Sequence, residues 1–306
     1  EGWFLIADQA PLKEGYETSY LDRVAMVKIM IGPYRHLKLC EIERELPKPN
    51  YTINTLKALN KKYPTHKFYF LIGSDQALQI DKWKDTEQLF DFATFIVYPR
   101  DNLKIEDKRF LELKPLKGML DVSSTMIREM KSFKTHPVIL RKIAMEGLYS
   151  KERLNDSLSF SRIRHVDGVI ELIEELANNH GVSRQLAKGL AVNHDLFKEK
   201  EREFLIQYLS KKELESFEYY WHAYAVSKYL SKKCFVTDKK FLKAIYHHVD
   251  GKSTHLYGKL LFIADKCEIN RDYDTDFYVN EAKVNIHKAY KLVKENSKNY
   301  NERVDV

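Results

Sequence analysis

Apolar positions in the first half of the chain form short runs that alternate with segments of helical spacing. Continuous apolar runs of about four to eight residues predict buried strands, whereas apolar residues about three or four positions apart predict amphipathic helices. The predicted strands are 3–7, 36–42, 67–72 and 94–98. The predicted helices are 20–31 and 51–63. Strands separated by helices of this length predict an α/β domain with a doubly wound parallel sheet.

The second half of the chain has a different pattern, because helical periodicity dominates from about residue 154 and no convincing strand follows. We therefore expect an all-α domain after the α/β domain. The change of pattern places the domain limits at 1–150 and 151–306. Neither an internal repeat nor a low-complexity linker separates the two parts, so we expect closely coupled domains.

Histidines and aspartates interrupt the apolar stripes of the second half. His165 lies four residues before Val169, for example, and Asp265 lies four residues after Leu261, so both share the face of an apolar residue. The full set is His165, His194, Asp195, His222, His248 and Asp265. A single inward histidine is usually a hydrogen-bonded core residue, but a buried carboxylate needs a cation. The pattern predicts a shared metal site for iron, manganese, zinc or a similar divalent ion.

Composition and charge narrow the function classes only slightly. The cysteines Cys40, Cys234 and Cys267 form neither a disulfide framework nor a zinc pattern, so we expect a reducing, cytoplasmic location. No apolar run reaches the roughly 18 residues that a membrane span requires. The net charge of +7 suits nucleic acid or a small polyphosphate. Because basic and acidic residues are interspersed, we do not expect nucleic acid as a partner.

The candidate metal ligands also carry a family resemblance. Their order resembles the H…HD…D signature of HD-domain phosphohydrolases, and the surrounding phrases include NHDLFKE, AIYHHVDGK and FIADKCEINR. Over roughly 154–278 the chain is similar to the YqeK-type proteins, which cleave diadenosine tetraphosphate symmetrically. The resemblance implies a binuclear site in which His222 and His248 complete the second metal. It implies iron, with manganese, cobalt or zinc as alternatives.

The same resemblance suggests catalytic roles near these ligands. His194 and Asp195 would act at the metals, and Arg271 would bind phosphate because its family counterpart lies in the same phrase. Lys198 follows Asp195 by three residues and could also contact a phosphate. A solvated lysine at a helix end is the equally weighted alternative for Lys198.

The first half is similar to nicotinate mononucleotide adenylyltransferases over almost all its length. The phrases that carry the likeness are 9–13, 51–55, 70–75, 82–84, 97–100, 122–128 and 147–149. The resemblance implies a site for nucleotides, with Mg²⁺ accompanying ATP. Its residues would be Thr52, Gly73, Asp75, Trp83, Arg100, Ser123, Ser124, Thr125 and Arg128.

Individual roles at this nucleotide site follow from the resemblance and from helix chemistry. Trp83 would stack on the pyridine ring, although such a tryptophan alone is more often part of a core. Ser123 precedes a predicted helix start, where free backbone N–H groups bind anions, and Arg128 would hold phosphate. Ordinary helix capping is the alternative interpretation for Ser123.

One departure from the transferase family stands out. Its glycine- and histidine-bearing GxFDPxHxGH loop does not occur in this sequence. We expect either a fragment of a two-headed enzyme, which the strand-first opening favours, or a degenerate domain. In both cases the chain as given should not transfer adenylyl groups.

The leading hypothesis is a bifunctional protein with diadenosine tetraphosphate, ATP and nicotinate mononucleotide as its small-molecule partners. One alternative is an HD hydrolase of another nucleotide. A second is a nucleotide-sensing or RNA-binding protein with a vestigial transferase domain. A homodimer is compatible with the sequence.

Overall fold

The computed structural model describes residues 1–9, 11, 17–99, 105–114 and 122–304, with side chains up to residue 297. The chain divides into two compact units, Glu1–Asp121 and Val122–Val306. Within the described ranges, no helix is both long and apolar enough to cross a membrane.

The first unit alternates strands and helices, as the apolar pattern predicts. Its strands are β1 (Gly2–Leu5), β2 (Leu37–Cys40), β3 (Tyr69–Gly73), β4 (Thr94–Tyr98) and β5 (Leu111–Glu112). Its α-helices are α1 (Tyr20–Ile31), α2 (Thr52–Lys62), α3 (Ser74–Ala77) and α4 (Thr86–Phe92). Short 3₁₀ segments, Ile42–Glu45 and Ile80–Lys82, complete the unit.

All described strands of the first unit pair in parallel, which confirms the predicted sheet type. β1 pairs with β2, and β3, β4 and β5 form a separate sheet in that order, so the described strands make two sheets rather than one. Phe95 and Val97 on β4 are fully buried against Leu56 of α2 and Leu89 of α4. Apolar residues at alternate positions of β4 thus form the centre of this unit.

The second unit is helical throughout its described residues, as predicted. It begins with α5 (Ser124–Arg128), α6 (Pro137–Met145), α7 (Ser150–Asn155), α8 (Phe160–Asn179), α9 (Arg184–His194), α10 (Arg202–Ile206) and α11 (Lys211–Leu214). After the 3₁₀ segment Glu218–Tyr220 come α12 (Trp221–Lys233), α13 (Lys239–Tyr246), α14 (Leu256–Cys267), α15 (Asp276–Val284) and α16 (Ile286–Val304).

Side-chain caps set where several of these helices begin. Ser183 accepts a hydrogen bond from the Leu186 N–H at the start of α9, and Asp238 accepts from the first turn of α13. Such caps satisfy N–H groups that have no partner inside the helix. These caps fix the starts of α9 and α13. His194 and His248 lie at or just beyond the opposite ends of these helices, and both are buried.

Residues 122–150 pack with the helices that follow them. A Cβ at Gly189 on α9 would lie 1.8 Å from the Met145 carbonyl oxygen, so α6 and α9 approach closely. Asn193 donates to the Ala144 carbonyl at 2.8 Å across the same contact. The compact units therefore divide after Asp121, while the limit near residue 150 between family domains stays a prediction.

Candidate metal centre

Five segments of the second unit bring the six predicted ligands together. His165 lies within α8, His194 ends α9 and is followed by Asp195, His222 is the second residue of α12, His248 follows α13, and Asp265 lies in α14. All of them are buried. We call His165, His194, Asp195, His222, His248 and Asp265 the metal centre.

Asp195 lies between two sets of imidazole nitrogens. Its Oδ1 is 3.2 Å from His222 Nε2 and 3.4 Å from His248 Nε2. Its Oδ2 is 3.7 Å from His194 Nε2 and 4.0 Å from His165 Nε2. Each oxygen thus faces a different histidine pair, as expected of a carboxylate that bridges two cations.

Asp265 completes the first of these two groups. Its Oδ1 is 3.2 Å from His165 Nε2 and 3.9 Å from His194 Nε2. Compact ligand-atom groupings form on both sides of Asp195: one with His165 and His194, the other with His222 and His248. The geometry therefore offers two adjacent cation positions that share Asp195.

Hydrogen bonds at Nδ1 show that two of the imidazoles have Nε2 available for metal binding. His194 Nδ1 lies 2.7 Å from the Ala191 carbonyl, and His248 Nδ1 lies 2.8 Å from the Ile245 carbonyl. A carbonyl oxygen only accepts hydrogen bonds, so these Nδ1 atoms carry the proton and Nε2 keeps a lone pair. An imidazole whose Nδ1–H is held in this way presents its Nε2 for metal binding.

The pKa shifts of two histidines and of Asp195 favour the protonation states that bind a metal. Burial disfavours the imidazolium form and lowers the pKa of His194 and of His222 to about 4. Burial also opposes ionisation of Asp195, but the adjacent imidazoles, His194 first, hold its pKa well below the usual range. Neutral imidazoles beside an ionised carboxylate are the donors that a divalent ion requires.

Two close nitrogen pairs indicate that cations belong in this cluster. His194 Nε2 lies 3.4 Å from His165 Nε2, and His222 Nε2 lies 3.3 Å from His248 Nε2. Where both nitrogens of a pair are unprotonated, their lone pairs repel unless a cation lies between them. The donor set of imidazoles and carboxylates suits a divalent transition metal, so the residues present fit the implied group.

Glu268 is a member of the site that the apolar pattern does not reveal. Its Oε1 lies 3.0 Å from His165 Nδ1, the position that orients a ligating imidazole. Burial lowers the pKa of His165, but hydrogen bonds with Asp265 and Glu268 outweigh burial and raise it. Its position three residues after Asp265, one helical turn away, is the signal that could have found it.

Four cationic side chains surround the carboxylates of the metal centre. Arg271 Nη2 lies 3.1 Å from Asp265 Oδ1, which places this predicted phosphate ligand at the centre. Sequence analysis missed Lys266, whose Nζ is 3.0 Å from Asp265 Oδ2, and Arg162, whose Nη1 is 3.1 Å from Asp195 Oδ2. Arg162 lies one turn before His165 on α8, so helical spacing could have indicated it.

Lys198, the other predicted phosphate ligand, is the fourth cation and has different surroundings. Its ammonium group forms no ion pair within 4 Å in the described part of the chain, and it lies 5.5 Å from the ring centroid of Tyr219. Burial lowers its pKa, although the charges of Asp195 and Asp265 oppose that effect. The backbone N–H of Lys198 donates to the Asp195 carbonyl at 2.8 Å, which places Lys198 beside the metal centre.

The predicted nucleotide-binding residues of the first unit lie at strand and helix ends. Thr52 opens α2, Gly73 ends β3 and Asp75 lies in α3. Ligands of parallel α/β sheets bind at the carboxyl ends of strands, where Gly73 lies. Trp83 is half-buried against the hydrophobic core, and Arg100 lies outside the described residues.

The remaining predicted nucleotide ligands belong to the second unit. Ser123 accepts a hydrogen bond from Met126 N–H at 3.1 Å, so it caps α5, and Ser124 and Thr125 in the first turn are exposed. Arg128 donates to Thr125 Oγ1 at 3.1 Å and lies 3.3 Å from Glu152. The predicted cap is present, and a role in nucleotide binding stays a prediction.

Family models match both parts of the chain. A cytidylyltransferase-like model matches residues 3–130, and an HD-domain model matches residues 162–270. Together with the parallel α/β unit and the histidine–aspartate cluster, these matches define an enzyme that joins a nucleotidyltransferase-like domain to a metal-dependent HD hydrolase domain.

One relative that matches most of the chain shows the family. In an alignment of 297 positions that covers 91% of the chain, it is 30% identical to a probable nicotinate-nucleotide adenylyltransferase/Ap4A hydrolase of Mycoplasma genitalium, of which it covers 83%. It belongs to this family of fused enzymes.

Further relatives match mainly its first half. A probable nicotinate-nucleotide adenylyltransferase of Halalkalibacterium halodurans is 35% identical over 171 residues, which are 53% of this chain and 83% of that protein. The corresponding Bacteroides thetaiotaomicron protein is 32% identical over 132 residues, 42% of this chain and 65% of that protein.

A crystal structure from Clostridium acetobutylicum, described as a predicted HD superfamily hydrolase involved in NAD metabolism, is 23% identical to this chain. The match covers 47% of this chain and 81% of that one, with a TM-score of 0.43.

Proposed function

We propose that the second unit hydrolyses diadenosine tetraphosphate symmetrically to two ADP with two bound divalent ions. The observation that carries this proposal is the position of Asp195, whose two oxygens face separate histidine pairs. Water would form a new bond to one of the two central phosphorus atoms, and the central bridging P–O bond would break. Each half then leaves as ADP.

The chain's own residues would bind and orient the polyphosphate. Lys198, Arg271, Arg162 and Lys266 would neutralise its negative charge as the leaving phosphate develops. His194 and His248 would keep their orientation during the reaction because backbone carbonyls hold their Nδ1 atoms.

Divalent ions at the metal centre would supply Lewis acidity, lowering the pKa of water and stabilising charge on phosphate oxygens. We propose iron as the ion, on the resemblance described above. His165, His194, Asp195 and Asp265 would hold one ion, and Asp195, His222 and His248 the other.

An anaerobic incubation with diadenosine tetraphosphate and ferrous iron tests this function, with products separated by chromatography. We expect ADP as the sole product. ATP plus AMP would contradict symmetrical cleavage, and turnover of other nucleotides alone would establish a different HD hydrolase. No turnover with iron, manganese, cobalt or zinc, together with nucleotide or RNA binding, would favour a sensing role.

A second proposed function, adenylyl transfer from ATP to nicotinate mononucleotide, is supported by the relatives of the first half. The glycine- and histidine-bearing loop of that family is not in this sequence, so we expect the activity only in a protein that supplies the loop. Arg128→Ala should then reduce formation of the dinucleotide product. Absence of product in the loop-bearing protein would favour a degenerate domain.

Since both proposed functions use small nucleotides and the cysteines are free, we also propose that the protein acts in the cytoplasm.

A further inference from the structure

The four cations beside the metal centre differ in what holds them. Arg162 is paired with Asp195, and Lys266 and Arg271 are paired with Asp265. Lys198 alone among these four has no carboxylate within ion-pairing distance in the described residues. A group that positions its side chain is therefore not a carboxylate of the described residues.

An aromatic ring lies close to the Lys198 ammonium group. Lys198 Nζ lies 5.5 Å from the centroid of Tyr219, within the range of a cation–π contact. A ring attracts an ammonium group through its quadrupole and adds no negative charge. The full charge of Lys198 then stays available for a substrate phosphate, which a carboxylate partner would partly neutralise.

Tyr219 is itself supported by further rings. It lies in the 3₁₀ segment just before α12, with its ring 4.5 Å from that of Tyr220. Tyr220 stacks on Tyr224 at 6.3 Å, and Tyr224 stacks on Tyr246 at 4.2 Å. The Tyr246 hydroxyl donates to Glu213 Oε1 at 2.9 Å, which fixes the far end of the series.

We infer that Tyr219 is a positioning residue, which holds the Lys198 ammonium beside the metal centre for contact with the polyphosphate. This inference rests on the proposed function, in which Lys198 binds substrate phosphate. It adds a residue that neither the apolar pattern nor the ligand geometry assigns.

A double-mutant cycle tests the inference. Tyr219→Leu removes the ring face but keeps an apolar side chain, and it should lower kcat/KM for diadenosine tetraphosphate by about threefold to thirtyfold. Tyr219→Phe keeps the face and should stay within about twofold of the parent chain. In a Lys198→Met background, Tyr219→Leu should have no further effect, because the group that it positions is gone.

Phe277→Leu is the matched control, since Phe277 is 63% exposed, contacts the ring of Tyr278 rather than any ring of this series, and contacts no cation within 6 Å in the described part of the chain. This variant should behave like the parent. Melting temperature and metal content are measured for every variant. If Tyr219→Leu does not fold, the contrast between Tyr219→Phe and Tyr219→Trp still tests whether an aromatic face suffices.

The affinity of the metal-loaded variants for pyrophosphate is also measured by calorimetry, in the same double-mutant cycle. Because this binding does not require hydrolysis, it tests the inference separately from the proposed function. Coupling between residues 198 and 219 in binding, without any hydrolysis, would support the positioning role and contradict the proposed reaction. A Tyr219→Leu defect that persists in the Lys198→Met background would overturn the inference. So would a Lys198→Met defect that Tyr219→Leu does not share.

Discussion

The two oxygens of Asp195 face different imidazole pairs, so one side chain serves both halves of the metal centre. Each histidine of the centre serves only one half. At the scale of single residues, the consequence is an unequal effect of substitution. Loss of the shared carboxylate should remove both ions, whereas loss of His222 should affect chiefly the ion beside His248.

The first prediction concerns Asp195→Ala and His194→Ala. Both should abolish hydrolysis, and Asp195→Ala should reduce bound metal to below about half an ion per chain, because both ions lose a ligand. Metal analysis and product chromatography measure these effects, with circular dichroism to show a retained fold. His287→Ala, an exposed histidine of the same unit, is the control. Full activity in either ligand variant would refute the site assignment.

Glu268→Gln tests the group that orients His165. An amide accepts the Nδ1–H bond more weakly than a carboxylate, so we expect metal affinity to fall by about 10- to 100-fold. A competitive chelator titration measures the affinity. Glu171→Gln changes an exposed glutamate on α8 and should leave it unchanged. Equal affinities for the parent and Glu268→Gln would show that Glu268 does not tune the site.

Sequence reasoning grouped the six inward polar residues because helical spacing places them on apolar faces. The spacing does not reveal the contacts of Glu268 and Arg162, because Glu268 joins the end of α14 to α8 and Arg162 joins α8 to the end of α9. Each of them lies three residues from a ligand, which spacing could indicate, but spacing does not report their partners, which lie 33 positions away for Arg162 and 103 positions away for Glu268. Lys198 and Tyr219 likewise meet only through tertiary packing.

At the scale of elements, Glu213 ties three helices together behind the metal centre. Its carboxylate accepts from Ser210 at the start of α11, from Lys228 on α12 and from Tyr246 at the end of α13. Because α12 carries His222 and α13 leads to His248, this buried carboxylate helps to set the spacing of one ligand pair.

Acid should weaken this junction in a defined window. Burial opposes ionisation of Glu213, but hydrogen bonds from Lys228 and Ser210 lower its pKa to about 2, below the ordinary value of 4.5. A depressed folded-state pKa stabilises the fold above pH 4.5, and this contribution is lost as pH falls toward 2. Glu213→Gln should cost about 1–3 kcal/mol at pH 7 and flatten that pH dependence.

Urea denaturation between pH 7 and pH 3 measures the effect, since each transition yields a free energy of unfolding. Glu215→Gln, an exposed neighbour, is the control and should keep the slope of the parent. An unchanged pH dependence in Glu213→Gln would show that another group dominates acid unfolding.

Element type could be predicted well from the sequence, and element ends less well. The spacing predicts helix 20–31 and strand 94–98, and α1 and β4 span those residues. Strand 36–42 is shorter in the structure, where β2 ends at Cys40 and a 3₁₀ segment begins at Ile42. The pattern of β5, only Leu111–Glu112, is too short to detect by periodicity.

At the scale of the whole molecule, the chain contains two compact units, and the six ligands all lie in the second. The sequence pattern predicts the change from α/β to all-α near residue 150, whereas the compact units divide after Asp121. The apolar pattern alone does not show that α6 packs on α9 at Gly189, because this close contact is possible only where the residue is glycine and has no Cβ. Residues 122–150 therefore fold with the helices although a transferase resemblance runs through them.

The last prediction follows from the location of all six ligands in one unit. An ion that binds only the folded form stabilises it by about 2.7 kcal/mol at a concentration 100 times its Kd. For a unit of this size, that gain should raise its melting temperature by roughly 5–10 °C. The described residues of the first unit contribute no ligand to the metal centre, so its transition should not move.

Differential scanning calorimetry of the full chain, with iron and after chelation, tests this prediction. We expect two transitions, of which only the metal-dependent one shifts. Asp195→Ala is the matched control and should show no shift when iron is added, because the ligand shared by both ions is lost. A single transition that moves as a whole would show that the units unfold together, and it would extend metal stabilisation to the α/β unit.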